Sequence, residues 1–464
     1  MSSISLPRSS PSAQGVDADA VLAFLDAAER ARLDLHSLMI VRHGHVVAEG
    51  WWAPYRADGV QLVYSLSKSF TSTAIGIAEG EGLLSVDDPV VSFFPDKVPA
   101  DASPYVTGMK VRHLLSMASG HAEDTWPALA AGGPDIVRSF LSIPPAHEPG
   151  SFFCYNQGCT YTLSAIITEL TGQRLIDYLR SRLFEPLGTD RALWLQSSEG
   201  IDLGYSGLHI QTESIAKLGQ LYLQNGRWEG RQLVPESYVS EARRQQVDNS
   251  QREERPDWRQ GYGFQFWVCR HDAYRGDGAF GQFCVVVPGA DAVIACTAQV
   301  EDMQAEIDLI WEHLLPALSG HAPADLAAEA RLAERLARLS TALVDARAPS
   351  PRHAASFTPT GRPALYTQAL SAVRVEPAGD LTRLTVVLEG AEHSFDLRPG
   401  HWTEGELPGI HTLLPAVGVT GGWTGPNEFQ ADIVFVTSPH RLHLRAKSGD
   451  GPTFEAEWYA APLP

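Results

Sequence analysis

Four consecutive residues, Ser65-Leu66-Ser67-Lys68, have the types and the spacing of a nucleophile and its base. A serine hydroxyl is a poor nucleophile until a neighbouring group accepts its proton. A spacing of three residues on a helix places the lysine amine on the same face as the hydroxyl. Burial and the positive end of the helix lower the pKa of such a lysine, so its neutral amine can act as the base. The spacing therefore makes Ser65 a candidate nucleophile with Lys68 as its base.

A second copy of the pattern, Ser214-Ile215-Ala216-Lys217, shows how specific the spacing is. The chain has only five lysines, so composition alone predicts roughly 0.4 such matches. Ser214 and Lys217 lie on the flank of an apolar helical stripe, which predicts a solvated helix face without catalytic function. On spacing alone, the copy at Ser65 is balanced between catalysis and coincidence, and its surroundings must decide.

The elements that position Ser65 are predicted from hydrophobic periodicity and from turn residues. Ser65 follows a strand-like run over 62–64 and begins a helical stretch that ends at Gly80 and Gly82. Residues 120–150, rich in Gly, Pro and Asp, are typical of a loop that forms an active-site wall. The other predicted elements are a helix over 16–35, a hairpin over 38–48, a helix with apolar residues at 163, 166, 167 and 170, strands over 261–269, 283–287 and 293–297, and a closing helix over 303–315. Strands at both ends with helices between them predict an α+β fold with an antiparallel sheet.

The C-terminal third has a different pattern. Residues 323–347, rich in Ala, Leu, Arg and Glu, predict a connecting helix, and Ala348–Arg352 a linker. Short strand-like runs separated by Gly and Pro turns follow at 381–388, 433–436, 442–444 and 454–458. They predict a small all-β domain, a sandwich or a lipocalin-like barrel. The predicted domain ranges are 1–320, 321–352 and 353–464.

Several segments resemble, in chain order, the motifs of the serine β-lactamase-related family, which includes class C β-lactamases, DD-peptidases, penicillin-binding proteins and esterases. They are YSLSKSFTSTAIGIAEGEGLLSVDDPV around Ser65, VRHLLSMASGH at 111–121, PGSFFCYNQGCTYTLSAIITELTG at 149–172, and GYGFQFW and GDGAFGQFCVVVP among the predicted strands. The resemblance covers most of residues 20–318. It implies a β-lactamase/transpeptidase-like fold, in which helices and an all-α subdomain flank the antiparallel sheet, and it implies that Ser65 is catalytic.

Further site residues follow from the resemblance, position by position. Tyr155 matches the tyrosine of the family's Tyr-x-Asn motif, which exchanges protons with the lysine. At the family's Asn position the chain has Gln157, with Asn156 one place earlier. Either amide is a candidate to hold Lys68 and the substrate carbonyl.

The family's third motif, usually Lys-Thr-Gly or His-x-Gly, is replaced here by Gly276-Asp277-Gly278, with Arg275 just before it. The cation that usually binds a substrate carboxylate is therefore missing from its position. Asp277 is either a turn residue or a substrate contact.

The implied oxyanion hole needs only backbone N–H groups, those of Ser65 and Ala279. It is therefore expected to survive the change in the third motif. Gly278 would allow the close backbone approach that such a hole requires.

Composition limits the partners and the compartment. A formal net charge of -19 repels phosphate backbones and anionic lipid, which argues against nucleic acid or a membrane surface as a partner. The chain has an odd number of cysteines, five, and no C-x-x-C pair. This argues against a disulfide framework or a zinc site and predicts reduced, buried thiols. The N-terminus lacks an apolar signal region, so we expect a cytoplasmic protein.

Motifs for other chemistries are missing from the sequence. It contains no H-E-x-x-H, G-x-G-x-x-G or P-loop pattern, and the run Gly204-Tyr205-Ser206-Gly207 does not complete G-x-S-x-G. The sixteen histidines are scattered, so we expect neither a metal site nor a cofactor. Trp51, Trp52 and Trp126 are candidates either for an apolar substrate pocket or for simple packing.

The leading hypothesis is a serine hydrolase that forms an acyl-enzyme on Ser65 and cleaves a small ester or amide. Loss of the third-motif cation favours an esterase or amidase over a true β-lactamase. A transacylase or peptide cyclase of the penicillin-binding-protein type is the second hypothesis, and a catalytically silent binding protein is the third. The substrate and the oligomeric state do not follow from the sequence.

Overall fold

The computed structural model describes residues 5–133, 135–251, 255–320, 324–346, 348, 353–361, 363–410, 413–449 and 451–463. The chain forms two compact units. The first takes the residues up to Leu33 with Ser37–Glu49 and Leu62–Glu334, and the second takes Asp34–His36, Gly50–Gln61 and Arg335–Pro464. These units interleave along the chain, and the contiguous ranges 1–320, 321–352 and 353–464 stay a prediction.

The helices lie wholly or mainly in the first unit. They are α1 (Ala18–Arg30), α2 (Ser67–Gly80), α3 (Pro104–Thr107), α4 (Val111–Leu115), α5 (Trp126–Ala131), α6 (Ile136–Ser142), α7 (Gln157–Thr171), α8 (Leu175–Leu179), α9 (Thr212–Leu223), α10 (Glu236–Ala242), α11 (Met303–Leu309), α12 (Leu315–Ser319) and α13 (Leu326–Leu336). None of the helices in the described part of the chain is long and apolar enough to cross a membrane.

Eleven strands lie wholly or partly in the first unit. They are β1 (Leu35–Arg42), β2 (His45–Trp51), β3 (Gln61–Leu62), β4 (Ala192–Trp194), β5 (Leu208–Ile210), β6 (Arg227–Trp228), β7 (Arg231–Gln232), β8 (Trp267–Val268), β9 (Tyr274–Gly278), β10 (Gln282–Val287) and β11 (Ala292–Ala298). The main sheet has the order β2-β1-β11-β10-β9-β8. It joins the N-terminal strands β1 and β2 to the later strands β8–β11, as the sequence predicts.

The centre of the main sheet has no solvent face. Every residue of β10 and β11 is buried, and α9 packs against both strands. The strands are therefore continuous apolar runs rather than alternating ones. Helix α2 is buried as deeply, from Ser67 to Ala78, and its small residues allow this, since a Cβ at Gly76 would collide with Tyr238.

Most elements predicted for the first unit are confirmed. The hairpin is β1 and β2, and the helix predicted over 16–35 is α1, which ends at Arg30. The strand predicted over 261–269 shrinks to β8, because Gly261 and Gln265 have φ of +110° and +62°, which interrupts extended backbone. The closing helix is α11, one π-helical turn over Ile310–Leu314, and α12.

The second unit contains the predicted all-β region. Its strands are β12 (Ala355–Pro359), β13 (Leu370–Ala378), β14 (Leu381–Leu388), β15 (Ala391–Leu397), β16 (Thr403–Glu406), β17 (Ala416–Gly425), β18 (Glu428–Phe435), β19 (Arg441–Lys447) and β20 (Thr453–Trp458). They form one nine-stranded sheet with the order β15-β14-β13-β12-β20-β19-β18-β17-β16. The edge strands β15 and β16 contact each other, so the sheet curls into a barrel around a buried apolar core.

The predicted α+β fold with a C-terminal all-β region is confirmed. The connecting helix predicted over 323–347 is the shorter α13. The linker predicted at Ala348–Arg352 lies, apart from Ala348, outside the described residues. All five cysteines are free and buried, as the sequence predicts.

A buried carboxyl in α11 makes the stability of the first unit depend on pH. Glu306 is wholly buried, and burial raises its pKa to about 8. Its Oε1 accepts a hydrogen bond from Cys296 at 3.2 Å, whereas Oε2 has no partner in the described part of the chain. The folded protein therefore holds the neutral acid, and the unfolded chain ionises it near pH 4.5.

We predict that Glu306→Gln makes the protein more stable than the wild type at pH 8.5 but not at pH 5. The contribution of the neutral carboxyl to the free energy of unfolding is complete below pH 4.5 and is lost as the pH rises to about 8. The loss is on the order of a few kcal/mol. Urea unfolding at both pH values measures the difference. The exposed Glu312→Gln is the control. An effect of Glu306→Gln that is equal at both pH values would contradict the prediction.

Candidate active site

Ser65 lies on a strained turn that presents its hydroxyl. The chain leaves β3, passes through a 3-10 turn over Tyr64–Leu66 and enters α2. Tyr64 has φ of +45°, a left-handed conformation that is unfavourable for a tyrosine. In the stretch from Val60 to Ala78, all of which is described, Ser65 is the one residue that is not buried. The turn therefore exposes the hydroxyl at the start of a buried helix.

Lys68 points its amine at this hydroxyl. Its Nζ donates to Ser65 Oγ at 2.9 Å and to the carbonyl of Tyr205 at 2.9 Å. The side chain is 1% exposed, and this burial lowers its pKa to about 7, although the charges of Asp124 and Asp277 oppose the shift. A large fraction of Lys68 is therefore neutral near pH 7, which is the state of a base.

Tyr155 completes the predicted trio. Its hydroxyl hydrogen-bonds Ser65, and its ring centroid lies 4.8 Å from Lys68 Nζ. The ring stacks on Trp267 with centroids 5.5 Å apart. Burial, and secondarily the charge of Asp277, raise the pKa of the phenol well above its usual range. Tyr155 is thus a protonated donor in the resting site. The three residues predicted to be catalytic lie together.

The third motif is a buried ion pair within β9. Asp277 accepts from Trp267 Nε1 at 2.8 Å and from Arg275 Nε at 3.1 Å, so both carboxylate oxygens have donors. Arg275 is wholly buried and also donates to the carbonyl of Asp257 at 2.8 Å. Of the two roles predicted for Asp277, the turn is wrong, because the residue lies inside a strand. Its 7% exposure and its paired oxygens leave little of it for a substrate contact.

The two glycines of this motif lie against the nucleophile turn. A Cβ at Gly278 would collide with the carbonyl of Val63, and one at Gly276 with the side chains of Leu66 and Ser69. A lysine or histidine side chain at Gly276 would require the side chains of Leu66 and Ser69 to move. The close approach at Gly278 brings the following residue, Ala279, beside this turn. The oxyanion hole from Ser65 and Ala279 stays a prediction, and this approach is consistent with it.

The two amides occupy the start of α7. Asn156 is wholly buried and is the N-cap: its Oδ1 accepts from Gly158 N at 2.9 Å and from Thr125 Oγ1 at 2.8 Å. Both hydrogen bonds of Lys68 in the described structure go elsewhere, to Ser65 and Tyr205. The expected contact between Lys68 and either Asn156 or Gln157 is therefore not formed, because the capping geometry already engages Asn156. A substrate contact of either amide stays a prediction.

Two residues of the site, Tyr205 and Asp124, give no signal in the sequence that predicts their function. The carbonyl of Tyr205 holds Lys68, but in the sequence this residue is only part of a run that does not complete G-x-S-x-G. Asp124 lies in the loop predicted to form an active-site wall, and its charge acts on Lys68. Trp126 packs its ring 4.4 Å from that of Tyr205, so it belongs to this wall. Trp51 and Trp52 belong to the second compact unit.

The second Ser-x-x-Lys copy is buried, so the predicted solvated helix face is wrong. Ser214 is 2% and Lys217 is 3% exposed. Ser214 Oγ accepts from Thr189 Oγ1 at 3.0 Å, and Lys217 forms an ion pair with Glu213 at 3.6 Å. The segment with Thr189 and Asp190 lies against this flank, whereas β10 and β11 pack on the other side of α9, at Ile215 and Gly219. Both side chains have structural partners here.

Comparison with known proteins supports the resemblance. A 6-aminohexanoate-dimer hydrolase from Paenarthrobacter ureafaciens is 24% identical over 283 residues, which are 56% of this chain and 71% of that protein. The solved structure of EstCE1, a hydrolase with promiscuous acyltransferase activity, matches with a TM-score of 0.54 and 17% identity over 65% of this chain and 98% of that chain. An octameric penicillin-binding protein homologue from Pyrococcus abyssi matches with a TM-score of 0.51 and 15% identity, over 93% of this chain and 96% of that chain.

The family model described as Beta-lactamase matches residues 25–315, more than half of the chain. This range contains the serine, the lysine and the tyrosine of the site. The predicted family is therefore confirmed: this chain belongs to the β-lactamase family.

Proposed function

We propose that the protein is a serine acyl hydrolase that cleaves a small ester or amide through an acyl-enzyme on Ser65. The observation that carries the proposal is the 2.9 Å hydrogen bond between a buried lysine amine and an accessible serine hydroxyl. Membership of a family with hydrolase relatives supports the same reaction class. The pKa of about 7 for Lys68 supplies the base that the hydroxyl needs.

In the acylation step, Ser65 Oγ bonds to the substrate carbonyl carbon and its proton passes to the Lys68 amine. The carbonyl oxygen becomes an oxyanion that faces the N–H groups of Ser65 and Ala279. The bond to the leaving group then breaks, and the leaving group takes a proton from Tyr155, which regains one from Lys68. Water attacks the acyl-enzyme along the reverse proton route and releases the acid and free Ser65.

An acyl transferase is the second candidate. In this reaction an amine or an alcohol replaces water as the acceptor of the acyl group. The fold match to EstCE1, whose description includes acyltransferase activity, favours keeping this candidate. Peptide cyclases of this family typically have a histidine in the third motif, whereas this chain has Gly276, packed against Leu66 and Ser69. Product analysis with an added amine or alcohol separates transfer from hydrolysis.

A catalytically silent binding protein is the third candidate. The bonded arrangement of Ser65, Lys68 and Tyr155 argues against it, because a binding protein has no need of a low-pKa lysine beside an exposed hydroxyl. Labelling with a fluorophosphonate, which bonds covalently to an activated serine, separates this candidate from the other two.

We predict that Ser65→Ala abolishes fluorophosphonate labelling and hydrolysis of short acyl nitrophenyl esters. Ser214→Ala is the matched control, since it removes the serine of the other Ser-x-x-Lys copy. It loses one buried hydrogen bond, worth about 1 kcal/mol of stability, but retains labelling and turnover. Thermal unfolding of both variants verifies that they are folded. Equal loss of activity in the two folded variants would contradict the assignment of the nucleophile.

We predict that Lys68→Ala and Tyr155→Phe each lower kcat by about 10² or more, with smaller effects on KM, because each removes a proton-transfer group. Wild-type activity should rise with pH through about 7, as Lys68 loses its proton and becomes a base. Steady-state kinetics between pH 5 and 9 measures both effects. Full activity of Lys68→Ala, or wild-type activity that increases as the pH falls below 7, would contradict the assignment of Lys68 as the base.

We predict weak β-lactamase activity. A penicillin or cephalosporin carries a carboxylate, and Gly276 offers no charge to meet it, while Arg275 is bonded to Asp277. A charge-assisted hydrogen bond to a carboxylate is worth roughly 1.5–3 kcal/mol, so its loss costs about 10- to 100-fold. A short acyl ester should therefore exceed nitrocefin in kcat/KM by a wide margin. Efficient nitrocefin hydrolysis would overturn this and indicate a cation from another loop.

A further inference from the structure

Asp124 is fixed at the edge of the reacting centre by one of its two oxygens. Its Oδ1 accepts from Gln157 N at 2.9 Å and from Trp126 N at 3.1 Å. The first of these bonds ties the carboxylate to the start of α7, two residues after Tyr155. Asp124 is half-buried rather than covered, so the carboxylate has both a defined place and access to solvent.

Both of these hydrogen bonds go to the Oδ1 atom of Asp124. Oδ2 accepts no hydrogen bond from the part of the chain that the structure describes. Its bond to Gln157 N holds the carboxylate near Tyr155, and its charge acts on Lys68, Tyr155 and Tyr205. A half-buried carboxylate with a free oxygen beside a nucleophile is able to bind a cationic part of a substrate.

Aromatic rings extend from Asp124 toward Lys68. Trp126 lies with its ring centroid 4.4 Å from that of Tyr205 and 5.7 Å from that of Tyr161. The ring of Tyr205 lies 5.6 Å from Lys68 Nζ. Trp126 and Tyr205 are both partly exposed. Faces of such rings attract organic cations and pack against their alkyl chains.

The charge balance of the site also favours a cation. Arg275 neutralises Asp277 in a buried pair, and Gly276 takes the place of the family's cation. When Lys68 loses its proton to become the base, Asp124 is left without a countercharge among the catalytic groups described above. The net charge of -19 of the whole chain adds a long-range attraction for cations.

We propose that Asp124, with the ring of Trp126, binds a primary ammonium group on the substrate, so that the preferred substrates are amine-bearing acyl esters or amides. This inference rests on the proposed acyl hydrolase function and specifies its substrate class. Asp124 is then a specificity-determining residue, which contacts the substrate away from the scissile bond.

The test compares substrates that differ only in charge. Ethyl esters of glycine, β-alanine and 6-aminohexanoic acid are each measured against the N-acetylated ester in a pH-stat. We expect kcat/KM for at least one of the amino esters to be about 10-fold or more higher than for its N-acetylated ester, mainly because KM is lower. In Asp124→Asn this ratio should fall toward one. Asparagine keeps the Oδ1 acceptor for Gln157 and Trp126, so the loop retains its hydrogen bonds.

Glu123→Gln is the matched control, because it removes the same charge from the neighbouring, exposed residue. It should leave the ratio unchanged. A ratio that survives in Asp124→Asn overturns the proposal. The proposal is also overturned if Asp124→Asn shifts the pH profile of activity equally for charged and neutral esters. That result would mean that Asp124 acts only by setting the pKa of Lys68.

A binding measurement separates this inference from the proposed function. Hexylamine and hexanol are titrated into Ser65→Ala and into Ser65→Ala with Asp124→Asn, and binding is followed by ligand-observed NMR. We expect hexylamine to bind more tightly than hexanol only when Asp124 is present. If hexylamine binds in this way but the wild-type protein hydrolyses no ester, the proposed hydrolase function is refuted and the ammonium site is retained. Equal binding of both compounds would refute the site even if neutral esters are hydrolysed.

Discussion

Burial of the Lys68 amine is the constraint on which the rest of the site depends. An ammonium group that loses its hydration favours the neutral form, and here this desolvation brings the pKa to about 7. The neutral amine is useful only because it lies 2.9 Å from a hydroxyl that remains accessible. The strained turn at Tyr64 achieves both conditions, since it exposes Ser65 while α2 continues directly into the core.

The close approach of β9 to this turn determines where charges can lie. Glycine at 276 and 278 permits the approach and removes the position from which a family cation would project. The side chains of Arg275 and Asp277, which alternate with these glycines, point to the opposite face of the strand. There Arg275 and Asp277 pair with each other and orient Trp267, on which Tyr155 stacks. The altered motif thus supports the position of the tyrosine.

Part of this arrangement could be predicted from the sequence. Ser65 and Lys68 have the spacing of one helical turn, and the family resemblance, rather than spacing or periodicity, decided for catalysis at Ser65 and indicated Tyr155. Contacts between distant segments could not be predicted. The burial of Ser214 and Lys217 depends on the segment at 189–190, which meets α9. The position of Asp124 depends on the contact of its loop with the start of α7. Neither contact leaves a periodic signal in the chain.

The same electrostatic balance that sets the base also links it to substrate binding. The charge of Asp124 raises the pKa of Lys68 and so partly opposes the effect of burial. A cation bound at Asp124 would cancel that contribution and add its own repulsion of a protonated lysine. The pKa of Lys68 would therefore fall when an amine-bearing substrate occupies the site, and a larger fraction of the lysine would be neutral. Binding of such a substrate would then favour the form of Lys68 that activates Ser65.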